Sequence, residues 1–501
     1  MHDSISRRRV RETPAVEPGV FSDYEPEGFF DEAFVAEGKP RAHYERLIRF
    51  IEQLGHDELA RRARLRDASF RTKGITFTLS GDEDGLERTF PMDLLPRIIP
   101  AEEWSMVESG LAQRVRTLNK FLDDIYAGEQ AAIRDGIIPR HVVTSSDGFA
   151  REAMGIHVPH GARCVVAGID LVRDANGTYC VLEDNVRNPS GVSYVLENRA
   201  ATARILPRVL GAHAVRRVDD YGPTLLGALR AISPSGGSRP RIAVLTPGPD
   251  SSAYFEHVFA ARQLGAELVE GRDLVVDDHV VYMRTTNGLE RVDVIYRRID
   301  DQYLDAVGFH STTMIGVSGL LAAVRAGNVS LANSIGNGAA DDKLVYAFVP
   351  DLIRYYLGEE PILPNVPTYL LWNPDQRAEA LQRLHELVVK PVAGAGGYDV
   401  IIGPRATEAE LDEVRQRIEA DPRGWIAQEV VALSRHPTLI DGRPQPRHVD
   451  LRPFVITRGD DIDVIAGGLT RVALHEGSLI VNSSQGGGSK DTWVLVGDGA
   501  H

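Results

Sequence analysis

Two apolar runs, Cys164–Val172 and Thr178–Leu182, flank Asn176-Gly177 within the stretch Arg163 to Gly191, RCVVAGIDLVRDANGTYCVLEDNVRNPSG. Few fragments leave a chain so little choice. Asn-Gly between strand-like runs signals a hairpin, because both central residues of a type I′ turn need positive φ. With those two residues as the turn, Asp170 sits directly opposite Glu183. Asn185, two residues further on, shares their face. Carboxylates placed opposite each other destabilise a bare sheet. A hard divalent cation between them reverses that sign, since Mg²⁺ takes carboxylate and amide oxygens and keeps waters or phosphate oxygens as its other ligands. The plainer alternative is a solvated hairpin rim. The third oxygen ligand, Asn185, and the cation that follows, Arg187, favour the metal.

At 501 residues the chain is long enough for about three domains. It has no run of 18 apolar residues and hence no membrane span. MHDSISRRRV carries basic residues without a following apolar region, so no signal peptide is expected. The only cysteines are Cys164 and Cys180, both in the hairpin, and zinc and CxxC patterns are absent. Together these features predict a cytoplasmic protein with reduced thiols. A net charge of −15 argues against a nucleic-acid partner, though it leaves room for a local basic pocket.

Residues 1 to about 40, charged and rich in Pro, Gly and Glu, read as a poorly ordered arm. Tyr44, Leu47, Ile48, Ile51 and Leu54 recur at helical spacing, with Gly55 as a stop. A second helix is predicted over Glu102–Ala127, with Trp104, Val107, Leu111, Val115, Leu118, Phe121, Leu122 and Ile125 on one stripe. FPMDLLPRIIP, with two prolines inside an apolar run, reads as a packed loop. A helix follows the hairpin from about Val192 to Leu210. SPSGGSRP, Ser233 to Pro240, is a linker. Arg241–Thr246, a helical run to Gly265, and Glu267–Glu270 form a βαβ pattern for a parallel sheet. Asp293–Ile299 and Asn328–Ala332 read as further strands. EEPILPNVPTYLLW reads as a hinge. Glu386–Lys390, Tyr398–Ile402, Trp425–Val431, His448–Ile456 and Asp463–Leu474 read as strands, and NSSQGGGSKD closes the chain.

Lys390 followed by Gly394–Gly397 is a phosphate-binding candidate, because lysine meets phosphate as a point charge and glycines let backbone N–H groups approach. It is not a Walker A loop, and a glycine-rich hairpin is often only a turn. Lys343 opens a helix after Asp341-Asp342, where a lysine is commonly solvated. WIAQEVV can be plain core, or a strand-to-hinge segment whose backbone pairs with an adenine edge. Arg452 and Arg471 can face developing phosphoryl charge or form structural ion pairs. Arg297 and Arg298, at a strand end, can hold a carboxylate or sit in surface ion pairs. Lys490 beside Gly486–Gly488 can belong to a loop that closes over substrate. In combination these pieces make a kit for Mg-ATP.

Taken together, GIDLV…VLEDNVRNPSG, DLRPF and VNSSQGGGSKDTWV resemble the ATP-grasp superfamily, in particular its circularly permuted type 2 members, related to glutathionylspermidine synthase and more distantly to glutathione synthetase. Ordinary members run from a pre-ATP-grasp domain through two lysines, a glycine loop, a hinge and arginine strands to a final D…E-x-N. Here residues 241–490 follow that order while D…E-x-N comes earlier, so the hairpin must return against the strands near 452–471. The resemblance implies an α/β (α+β) fold: a flexible arm (1–40), a mainly helical region (41–150), the displaced metal-binding part (151–232), a Rossmann-like pre-ATP-grasp domain (241–340), and the lysine, glycine-loop and arginine-strand subdomains (341–501). It implies Mg²⁺ on Asp170, Glu183 and Asn185. ATP would meet Lys343, Lys390, Gly394, Gly396, Gly397, Gln428, Glu429 and Val431. Catalytic charge would come from Arg452, Arg471 and Arg187, and substrate contacts from Arg297, Arg298 and Lys490.

The expectation is an ATP-dependent carboxylate–amine ligase working through an acylphosphate, with small-molecule acid and amine substrates. Two alternatives stand beside it. One is a kinase of a small carboxylic acid. The other is a nucleotide-binding module that works with a protein partner.

Overall fold

A computed structural model describes residues 19–26, 28–78, 87–236, 239–394, 399–481 and 486–497. The βαβ pattern forms a parallel sheet of four strands in the order Ser330–Ala332, Val294–Arg297, Ile242–Leu245, Glu267–Val269. The helix between the last two, Tyr254–Leu264, stops where Gly265 turns left-handed at φ 61°.

The hairpin lies in a second, antiparallel sheet. Its order is Asp461–Val464, Phe454–Arg458, Val166–Arg173, Tyr179–Asn185. Phe454 faces Gly168 and Ile456 faces Val166, with a further bridge between Leu171 and Leu451. Residues nearly 300 apart in sequence thus form one ladder, the return expected from the resemblance. Helix Ala101–Tyr126 packs on this sheet, and every residue of its predicted apolar stripe is buried. Alternate residues of the Val166–Arg173 strand (Ala167, Ile169, Leu171) share that core, which leaves Gly168 and Asp170 on the opposite face.

The hairpin turn differs from the expectation. Arg173 pairs with Tyr179, so Asp174–Thr178 make the connection, and only Gly177 has a positive φ, 83°. The ladder starts one residue out of step. A bulge at Leu182 then restores the step, and Asp170 faces Glu183 after all. Asp174 sets the wider turn, because its carboxylate accepts the N–H groups of Asn176 and Thr178 at 2.9 and 2.8 Å.

A third sheet, Thr368–Leu370, Trp425–Glu429, Leu387–Pro391 and Ile401–Ile402, has its own small core under helix Glu408–Ala420. The segment read as a hinge leads into it. On the way Pro364 and Val366 bond the edge of the hairpin at Val181, at 2.8 and 3.0 Å.

Other local expectations need correction. FPMDLLPRIIP is not a loop. Met92–Ile99 is a fully buried strand, parallel to Gly488–Val494, and Pro96 falls where the register shifts, so its missing N–H interrupts no ladder bond. His448–Ile456 is not one strand, since Pro453 divides it into isolated bridges at Val449, Leu451 and Arg452 and a strand from Phe454. At Gly55 (φ 69°) the backbone leaves the helical region, so Glu45–Lys73 is two helical segments meeting at a kink, and the predicted stop marks the break.

The arm is not loose over its described part. Phe21, Tyr24, Ala33 and Phe34 are buried, because aromatic residues at irregular spacing supply core contacts that no periodic pattern reveals. Buried Glu32 accepts from Arg97 at 2.6 Å, Arg173 at 3.1 Å and Ser434 at 2.7 Å. Burial alone would raise its pKa, but the two arginines hold it below the ordinary value. Glu32→Ala leaves those arginines short of a counter-charge, and equilibrium urea unfolding should show a loss of about 3–5 kcal/mol. A loss under about 1 kcal/mol, the level of an exposed pair, would mean that the arm does not brace this core.

Candidate active site

The exposed face of the hairpin, the third sheet and the Asp450–Arg471 segment enclose a cavity of about 530 Å³. Asp170, Glu183 and Asn185 line one wall. Lys343, Lys390, Gly394, Gln428, Glu429 and Val431 line another, and Arg452 and Arg471 close the base. Gly396 and Gly397 lie outside the described residues. Apolar side chains, among them Leu182, Val366, Val388, Ile402 and Leu433, line the rest. A cavity with one charged and one apolar half suits a phosphorylated ligand with a flat ring.

The charged half is internally neutralised. Arg452 grips Asp170 with two bonds of 2.5 and 2.8 Å. Arg471 reaches Asp170 at 2.7 Å and Asp450 at 2.5 and 3.0 Å. Burial alone would push Asp170 up, but the two guanidinium groups hold it down to about 2. Asp450 bonds Arg471 directly and has Arg452 only at longer range, and burial pushes it up. The close approach of Arg452 depends on Gly168, since a Cβ there would stand 3.3 Å from the Arg452 Cδ and 3.0 Å from Pro189.

Lys343 opens helix Lys343–Leu357, whose N-cap Asp342 accepts the Leu344 N–H at 2.8 Å. A lysine is unfavourable at the positive end of a helix dipole, yet helix end and ammonium together favour an anion. Here Nζ bonds the Gly394 carbonyl at 2.8 Å and meets Glu183 at 3.3 Å. Lys390 donates to Gln428 Oε1 at 2.6 Å. Burial pushes its pKa down to about 8, with Glu183 opposing and Lys343 reinforcing. Glu429 is held by Arg383 at 3.0 Å and Tyr369 at 2.8 Å.

The donor set fits a hard cation. Asp170 and Glu183 are paired across the ladder, and Asn185 Nδ2 is buried without a partner among the described residues. A flip of the Asn185 amide brings its oxygen to that place. Among the described residues no cluster of three or more His, Cys, Asp or Glu competes for a metal.

Three predicted residues do not reach the cavity, and one reaches it only indirectly. Arg297 is buried, spends its donors on the carbonyls of Ile299, Asn333 and Ser334, and is ion-paired with Asp301. Lys490 is buried in a strand, paired with Asp93 and bonded to the Pro437 carbonyl, so it belongs to no closing loop. Arg187 lies beside Asp341 and Asp300 at 3.5 and 3.9 Å. Arg298 bonds Pro189 and Ser190, which do line the cavity. Sequence reasoning missed Asp450, which the period of two from Arg452 could have flagged. It also missed Asp341, which accepts the Val186 N–H at 2.6 Å at the hairpin's end and which burial pushes up to about 7.

The model of the circularly permuted ATP-grasp type 2 family matches residues 96–473. An uncharacterised protein of Mycobacterium tuberculosis is 54% identical over 93% of this chain and 84% of its own length. Another, from Synechocystis, is 50% identical over 95% of this chain and 98% of its own. A Frankia alni protein provisionally named glutamate–cysteine ligase is 46% identical over 96% of this chain, which spans only 55% of it. A glutathione synthetase-like effector from Globodera pallida shares the fold with a TM-score of 0.55 at 13% identity, covering 88% of this chain and 98% of its own. No helix among the described residues is long and apolar enough to cross a membrane.

Proposed function

The chain belongs to the circularly permuted ATP-grasp type 2 family, and from that premise we propose that it is an ATP-dependent carboxylate–amine ligase. A substrate carboxylate oxygen attacks the γ-phosphorus of ATP. The bond from that phosphorus to the β-bridging oxygen breaks, and ADP leaves with the electron pair. An amine then attacks the acyl carbon, phosphate departs with the C–O pair, and the amine proton passes to solvent. Such a reaction asks for positioning and charge neutralisation rather than a protein nucleophile. One observation carries the reading: Asp170, Glu183, Asn185, Lys343, Lys390, Arg452 and Arg471, scattered over 300 residues, line one cavity.

In this reading Lys343 and Lys390 bind ATP phosphates, and the apolar wall with Gln428–Val431 takes the adenine. Arg452 and Arg471 release part of their hold on Asp170 to meet the transferred phosphoryl group. Bound to Asp170, Glu183 and Asn185, Mg²⁺ would neutralise phosphate charge. The glutamate–cysteine ligase name of the Frankia relative supports C–N bond formation, within the limit that this chain spans about half of that protein.

ADP release from Mg-ATP, screened over pooled amino acids, small peptides and polyamines, tests the proposal. Turnover that needs both an acid and an amine supports the ligase. Turnover with an acid alone makes the protein a kinase, and binding without turnover makes it a nucleotide-binding module.

Lys390 adds a pH signature. Above about 8 the free protein loses this charge and must take up a proton to bind an anion. The Kd for Mg-ADP should therefore rise with pH beyond 8, by up to about tenfold per unit. In Lys390→Met, binding is weaker at pH 7 and the slope disappears. Calorimetry at pH 7, 8 and 9 measures both, and an equal slope in the two proteins would assign the titration to another group.

A further inference from the structure

Between the hairpin's last strand residue, Asn185, and helix Val192–Ile205 lies a short loop, and side chains from distant parts of the chain hold nearly all of it. Asp341 accepts the Arg187 N–H at 3.2 Å, and Asn333 Nδ2 donates to the Val186 carbonyl at 2.8 Å. Asp300 accepts from Asn188 Nδ2 at 2.9 Å. Arg298 donates to the Pro189 carbonyl at 3.0 Å and to Ser190 Oγ at 2.9 Å. Arg452 donates to the Ser190 carbonyl at 3.3 Å, and buried Glu256 accepts the Gly191 N–H at 2.7 Å. Gly168 leaves the space in which Pro189 packs.

What this scaffolding leaves over is informative. Asn188, Pro189 and Ser190 line the cavity beside Arg452. Among the described residues, the backbone N–H groups of Asn188 and Ser190 donate to no protein group. Arginine has no acceptor, so Ser190 Oγ must accept from Arg298, and its own proton is left to donate elsewhere. Two N–H donors and one O–H donor, fixed beside a guanidinium, make a preorganised cradle for an oxyanion. A loop braced by so many side chains costs little reorganisation when the anion arrives. Arg298 and Glu256 come from the parallel-sheet part of the chain, which also lends Ser252 to the cavity lining and thereby shapes the site.

We propose that Asn188–Ser190 cradle the transferred phosphoryl group, first on the acyl phosphate and then as inorganic phosphate, and that Arg298 is the residue that positions this cradle. The inference rests on the ATP-dependent reading above and adds a place for its product. Arg298 acts through Ser190 and is a positioning residue.

Inorganic phosphate is the probe, titrated by calorimetry into the Mg-ADP complex of the full chain. Wild type should bind phosphate on Mg-ADP. Ser190→Ala and Arg298→Met should each weaken it about tenfold or more while leaving the Kd of Mg-ADP unchanged. Arg298→Lys, which can still donate to Ser190 Oγ, should recover most of the loss. Ser190→Ala removes one oxygen and is not expected to disturb folding, so it decides the matter if Arg298→Met is unstable. Phosphate affinity equal in wild type and Ser190→Ala, or no phosphate binding to wild-type Mg-ADP complex, overturns the cradle. Failure of the ATP-dependent reading looks different, because then wild type does not bind Mg-ADP at all.

Discussion

Glu183→Gln is expected to lower Mg-ATP-dependent ADP release by about a hundredfold or more, the scale seen when one preorganised charge-stabilising group is lost from an active site. Stability should change by no more than about 0.5 kcal/mol, as for a surface substitution. Both halves follow from the surroundings of Glu183. Its side chain is 30% exposed, and its one ion pair among the described residues is with Lys343, at 3.3 Å, so the folded protein does not depend on it. Asp170, opposite it, is occupied by two arginines, which leaves Glu183 as the least encumbered carboxylate on the proposed metal wall. The variant also removes the negative charge that supports the Lys390 ammonium, so the rise of the Mg-ADP Kd with pH should begin at lower pH than in wild type. Steady-state ADP release and a thermal melt on the same preparation measure the two effects. Turnover within about threefold of wild type, a difference worth less than about 1 kcal/mol, would remove Glu183 from the metal site.

The grouping of Asp170, Glu183 and Asn185 on one wall could be read from sequence because period two is robust. Asp170, Glu183 and Asn185 share a face whatever the details of the turn, provided the register is right at Asp170. The register was nearly lost, since the turn is wider than Asn-Gly alone suggests. The bulge at Leu182 repaired it, and nothing in the sequence announces that bulge. Lys343, Lys390, Arg452 and Arg471 carry weak individual signals and gain weight only as a set.

Lys490 and Arg297 show the limit of that method. A cation aimed into a cavity and one neutralised by a remote partner have the same local sequence. The partner of Lys490 is Asp93, 397 residues away. Arg297 is satisfied mainly by backbone carbonyls, which leave no trace in composition. Helix Ala101–Tyr126 and the parallel sheet were legible because packing follows periodicity. The Met92–Ile99 strand was hidden by Pro91 and Pro96, whose missing donors matter little at the edge of its sheet. Asp450 was the avoidable omission, as it stands two residues before Arg452.

Arg471→Met should be the most damaging single change at this site. Wild type buries two carboxylates, Asp170 and Asp450, against Arg471 and Arg452. Without Arg471, Asp170 keeps Arg452, but Asp450 loses the partner that donates to both of its oxygens. A buried carboxylate stripped of its partner costs about 3–5 kcal/mol near neutral pH. The loss should shrink in acid. Burial already raises Asp450, and removing Arg471 raises it further, so the folded variant binds a proton that the unfolded chain releases near its ordinary pKa of about 3.8. As pH falls through the raised value Asp450 becomes neutral and the penalty fades. Wild type changes in the opposite sense, since Asp170, held at about 2 in the folded state, contributes stability above its unfolded pKa that is lost as pH falls toward 2. The gap between the two proteins in urea unfolding should therefore be widest near pH 8 and narrower at pH 5. Adding Asp450→Asn removes the stranded charge and should return about 1–3 kcal/mol at pH 8 without restoring ADP release, because Asp170 still lacks one of its two arginines. A variant as stable as wild type, or a deficit that does not change with pH, would show that these carboxylates are paired differently from the arrangement described.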